Sequence, residues 1–167
     1  MNNKFLVTMI RNALVAAIYI VLMFIFQSFS SGEIQFRIAE ILMILALFNP
    51  KYAIGLFIGC LISNCFVPDV IIEDIIFGSL TTLVSALLMY PLRRLPFIAV
   101  FVPVILNALV VGAILTWSYQ INDGSFNSFL ISAGFVGIGE MAVVVGLGLP
   151  IYYIFKGNDE INNLLSS

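Results

Sequence analysis

Two glutamates, Glu40 and Glu140, each stand in a stretch that is otherwise almost wholly apolar. A carboxylate held near the middle of a bilayer costs roughly 2.5–3.5 kcal/mol, so the residues that remain there face a cavity or a partner. Arg37 precedes Glu40 by three residues, which puts both on one helical face where they can pair. Gln35, Asn64 and Asn107 contribute amides, able to donate and to accept. Phe36 and Trp117 offer flat surfaces on which a ring could stack. Such a set suits the binding of a small polar molecule. Each member also has a plainer use: ion pairing for Arg37 and Glu40, hydrogen-bonded glue between helices for the asparagines, and interfacial anchoring for Trp117.

The sequence gives little to catalysis. It has no His, which removes the commonest metal ligand and the usual general base. Cys60 and Cys65 are five residues apart, about 140° around a helix, a spacing that suits apolar packing rather than a metal or redox motif. No glycine-rich phosphate loop with its Lys and Ser/Thr is present. The expectation is no metal, no cofactor and no enzymatic activity.

The elements that hold these residues follow from composition. Of 167 residues, 62% are hydrophobic and 10% are charged, with a mean hydropathy of +1.13. Soluble domains carry roughly 25% charged residues, so this chain belongs in lipid. Charges and turn residues divide it into six apolar stretches, at about 12–29, 34–48, 52–66, 75–90, 97–119 and 126–155. At about 20 residues per span they use most of the chain, leaving one all-α transmembrane domain, a six-helix bundle over residues 1–167. That excludes a fused ATPase or a nucleic-acid-binding module. Pro103 and Pro150 are expected to kink the last two helices.

Basic residues orient the bundle. Lys4, Arg11, Lys51, Arg93, Arg94 and Lys156 fall on one side, which places both termini in the cytoplasm. Glu33, Asp69, Glu73, Asp74 and Asp123 fall on the other. The first stretch, with Ser28-Phe29-Ser30 behind it, has some character of a signal peptide but is expected to be a retained helix. Counting 1.5 Å per residue, Glu40 lies roughly 13 Å from the inner boundary, Asn64 roughly 20 Å and Glu140 roughly 24 Å. The inner halves, such as 41–47, 53–62 and 83–89, are nearly bare of strong polar groups. A polar cavity opening outward over an apolar floor is expected, with residues 28–34 and 68–74 as its rim. Asp69, Glu73 and Asp74 would steer a cation inward.

Small residues mark close helix contacts. Ala13 and Ala17, with Ala16 beside them, form one small-xxx-small pair, and Gly55 and Gly59 form another.

A small six-helix protein with an Ala-xxx-Ala pair in its first helix resembles the substrate-binding S component of an energy-coupling factor (ECF) transporter. Within that class, Ile34-Gln35-Phe36-Arg37-Ile38-Ala39-Glu40 and Gly139-Glu140, followed by Gly146-Leu147-Gly148-Leu149-Pro150-Ile151-Tyr152-Tyr153, resemble the second and last helices of the QueT family. The family pattern carries Ser where Ala39 stands; the charged positions are intact. The resemblance runs from about Arg11 to Tyr153. It implies uptake, across a prokaryotic cytoplasmic membrane, of a queuosine precursor such as 7-aminomethyl-7-deazaguanine. The implied partners are a membrane T component, docking on Ala13, Ala16 and Ala17, and two ATPases that hydrolyse the ATP. The S component is thought to topple in the bilayer to release its cargo, so no inner pathway is needed. Such a ligand suits Glu40 and Glu140, one accepting from the guanine-like edge and the other neutralising the aminomethyl cation. An S component for another vitamin or small nutrient shares this architecture; a second alternative is a proton-coupled exporter with Glu40 or Glu140 as proton carrier.

Overall fold

The computed structural model describes residues 3–27, 36–68, 70–119 and 124–166, with the side chains of residues 3 and 4 left aside. The described residues are helical and contain no strand. In chain order the elements are α1 (Asn3–Ile25), α2 (Ile38–Phe48), α3 (Tyr52–Asn64), α4 (Asp74–Met89), α5 (Pro96–Ser118), α6 (Phe126–Gly157) and a short α7 (Asp159–Ser166). Three of them, Phe5–Ile25 within α1, α5 and α6, are long and apolar enough to cross a membrane, while α2, α3 and α4 are shorter apolar helices. Large apolar side chains stand exposed along them, including Leu14, Ile18, Val21, Ile54, Ile58, Ile105, Leu109 and Ile138. A soluble protein seldom leaves so much apolar surface uncovered, and in lipid it is the favoured surface. This is a helical membrane protein.

Helix boundaries track the sequence with instructive shifts. α1 begins well before Asn12, at Asn3. The fifth apolar segment breaks at Val100 rather than at Pro103 itself. A proline removes the N–H that would reach four residues back, so the loss is felt at Ala99. α6 widens to π-type turns over Met141–Gly148, directly before Pro150, where the missing N–H again disturbs the preceding turn. α2 starts as a tight three-residue-per-turn helix over Ile38–Ile44 before relaxing to α geometry at Leu45–Phe48.

Glycines set the closest approaches. A Cβ on Gly59 would lie 2.7 Å from Tyr19 Cβ and 3.1 Å from Ala16 Cα, and one on Gly55 would lie 2.7 Å from the Asn12 carbonyl oxygen. The Gly55 N–H also donates to Asn12 Oδ1 at 2.7 Å. The glycine pair of α3 therefore packs against α1 within the bundle, and Ala16 is buried in that seam. Ala13 and Ala17 are exposed. Of the three alanines expected at an outward docking face, Ala16 is accounted for by this internal contact. Beneath, Met43, Ala46, Leu47, Phe48, Ala53, Leu56, Ala86, Met89, Val100 and Tyr152 belong to one buried apolar core.

Candidate ligand-binding site

The tight start of α2 aligns Arg37 and Glu40. In a three-residue turn, side chains three apart eclipse one another, and Arg37 Nη2 lies 3.8 Å from Glu40 Oε1. Glu40 has no exposed surface. Its Oε1 accepts from the Tyr19 hydroxyl at 2.6 Å, and the Thr82 hydroxyl stands 3.2 Å away. Helices α1, α2 and α4 thus converge on one oxygen. Its other oxygen, Oε2, is buried without a hydrogen-bond partner among the described residues.

Arg37 is 5% exposed and reaches across to α3. Its Nη2 lies 3.0 Å from Cys60 Sγ and 3.4 Å from Asn64 Oδ1. Asn64 donates in turn to the backbone carbonyl of Asp74 at 3.4 Å. Gly78 completes this corner. A Cβ there would meet Asp74 Oδ1 at 3.1 Å, Asn64 Nδ2 at 3.4 Å and Arg37 Nη1 at 3.8 Å, so the missing side chain leaves a small cradle between the three.

On the other side, Asn107 of α5 donates to Glu140 Oε1 of α6 at 2.8 Å. Both residues are buried, and Asn107 Oδ1 and Glu140 Oε2 accept from nothing among the described residues. Gly148 of α6 packs against Ile44 of α2. The two glutamates thus stand on adjoining helices.

The structure therefore brings Arg37, Glu40 and Asn64 into one network and pairs Asn107 with Glu140. Trp117 is placed elsewhere: it stacks on Phe129 at 5.2 Å and 8°, and its Nε1 donates to the Gly124 carbonyl at 3.1 Å. With Glu73, Phe77, Leu109, Val110, Ala113, Ile114 and Ser118 it lines an open, mostly apolar groove of about 370 Å³. Phe36 is half-buried against the apolar core. Gln35, Glu33, Asp69 and Asp123 lie outside the described residues, as does the whole of the expected rim over 28–34. Two placements correct expectation. Asp74 is the first residue of α4 rather than part of an open acidic loop, and its Oδ1 is enclosed. Cys60 is a polar contact of Arg37 rather than apolar packing alone. Sequence also missed Tyr19 and Thr82, residue types too common in apolar helices to stand out.

Buried carboxylates with unused acceptor oxygens, inside a bundle of apolar helices, mark a candidate site for a small polar ligand in a membrane protein. A family profile described as QueT transporter matches residues 9–157, and the chain belongs to that transporter family. A relative, the queuosine precursor transporter QueT of Lactococcus lactis subsp. cremoris (strain MG1363), is 46% identical over 74 residues. That match spans 43% of this chain and 43% of the relative. No solved structure matches the chain.

Proposed function

We propose that this protein is the substrate-binding S component of an ECF-type importer, capturing a queuosine precursor such as 7-aminomethyl-7-deazaguanine from outside the cell. In this reading six helices span a prokaryotic cytoplasmic membrane with both termini inside, and a T component with two ATPases supplies the energy. The chain itself performs no catalysis. One observation carries the proposal: Glu40 Oε2 and Glu140 Oε2, both buried, accept no hydrogen bond among the described residues. A buried carboxylate oxygen left without a donor costs about 1–3 kcal/mol or more, which a donor-rich ligand would recover. A guanine-like ring with an aminomethyl arm has such donors on two sides. The name of the Lactococcus relative points to the same ligand class.

Binding is tested with purified full-length protein in detergent, by thermal stabilisation. A rise in Tm with 7-aminomethyl-7-deazaguanine and none with a panel of vitamins is expected. A rise with a vitamin alone moves the protein to another nutrient. Uptake into proteoliposomes by this chain alone under a proton gradient would overturn the S-component role.

A further inference from the structure

The buried layer is unbalanced in two ways. Among the described residues its charged groups are three carboxylates, Glu40, Asp74 and Glu140, and one guanidinium, Arg37. Its unpartnered buried atoms are unbalanced in the same direction. Among the described residues, Glu40 Oε2, Asp74 Oδ1, Glu140 Oε2 and Asn107 Oδ1 are acceptors without a partner and Arg37 Nε is a donor without one. Arg37 cannot neutralise the set. It holds one charge, already turned toward Glu40 through Nη2 and toward the Gly78 cradle beside Asp74 through Nη1.

Resting on the preceding reading, we infer that the layer selects its ligand by charge, admitting the cationic member of the precursor class over a neutral isostere, and that Asp74 is a positioning residue that sets this preference. Asp74 Oδ1 and Arg37 Nη1 both border the Gly78 cradle, whereas Glu40 is approached by Nη2. With Asp74 ionised, the guanidinium is shared, and Glu40 and Glu140 keep an excess of negative charge for the ligand. Without that charge, Arg37 compensates the glutamates more fully and a cation gains less. In a poorly solvated layer such a difference is not screened away. The acceptor excess acts alongside it, because an ammonium brings three donors and no acceptor, whereas a nitrile brings only an acceptor.

The experiment compares two probes that share one ring, 7-aminomethyl-7-deazaguanine and its neutral 7-cyano counterpart, by titration calorimetry on the detergent-purified full chain. The native protein is expected to prefer the cation by about tenfold or more, the scale of one charge-assisted hydrogen bond. Asp74→Asn should shrink that ratio severalfold while leaving affinity for the nitrile within about twofold, and Asp74→Glu should restore it. Equal affinity of the native protein for both probes overturns the inference. So does an Asp74→Asn protein that loses both ligands equally, since that is the mark of a structural role alone. Should Asp74→Asn fail to accumulate, the native ratio and its loss in Glu140→Gln decide. If neither probe binds, the deazaguanine reading falls, and the charge of the co-purified small molecule, read by mass spectrometry, still judges charge selection: a cation supports it, a neutral or anionic molecule overturns it.

Discussion

Helices α2, α3 and α4 each have two unlike ends. At one end lie Arg37, Glu40, Cys60, Asn64, Asp74 and Thr82, joined by hydrogen bonds that leave several buried atoms unused. At the other lie Leu45–Phe48 with Tyr52, Ala53, Leu56, Ala86 and Met89, which contribute to a buried apolar core and pack with aromatic contacts such as Phe48 on Tyr152 at 5.1 Å. The apolar end is finished; the polar end is not. Under the proposed function, each helix contributes stability with one half and recognition with the other. The two should respond to mutation in opposite ways.

The largest effect is expected at the finished end. Leu56 is fully buried, and Leu56→Ala should lower stability by about 2–5 kcal/mol through lost contacts and a residual cavity. Ligand affinity should stay within about twofold, since Leu56 belongs to the apolar core and offers no polar atom to a ligand. A parallel collapse of affinity, measured by titration below the transition temperature, would break the division between the two ends. Glu140→Gln reverses the pattern. Affinity should fall by about 1.5–3 kcal/mol, the scale of a charged hydrogen bond, while Tm of the ligand-free protein holds or rises because an incompletely paired buried charge is gone. A Glu140→Gln protein that binds normally would place the site elsewhere.

Tyr19→Phe sharpens the comparison at smaller scale. It removes only the 2.6 Å hydrogen bond to Glu40, so both stability and affinity should drop by about 0.5–1.5 kcal/mol. An affinity loss far above that range would mean that Tyr19 touches the ligand itself. The smallest effect on folding and binding is expected at the exposed alanines of α1. Ala13→Trp and Ala17→Trp should change stability by no more than about 0.5 kcal/mol and leave binding intact. Under the proposed role they abolish ATP-dependent uptake when co-expressed with the T component and ATPases. Surviving uptake in both variants would remove this face from the docking surface.

How much of this was legible beforehand depends on which force set each feature. The membrane class, the apolar stretches and the need of Arg37, Glu40, Asn107 and Glu140 for polar partners were readable, because a charge or amide in an apolar run has few tolerable fates. Helix ends were less so. The break at Val100, the tight turn at Ile38–Ile44 and the π-type turns after Glu140 come from hydrogen bonds that prolines and packing redirect at a distance. Gly55 and Gly59 stood out as a pair, yet only their contact with Asn12, Ala16 and Tyr19 says which helix they meet.

The sequence by itself determined what must be buried in lipid and which polar residues must find company there, since both follow from transfer free energies that depend on residue type. It could not determine the company. Tyr19, Cys60 and Thr82 are ordinary residues in a membrane helix, and Asp74 looked like part of a solvated acidic loop. They became parts of one network only when α1, α3 and α4 closed around Arg37 and Glu40, bringing Tyr19 within 2.6 Å and Cys60 within 3.0 Å of a charged group. Trp117, a candidate by type, was turned to a separate groove by the same packing. Residue chemistry is local, but hydrogen bonds and charge pairs act over a few ångströms between segments far apart in the chain, and only the tertiary structure brings those segments together.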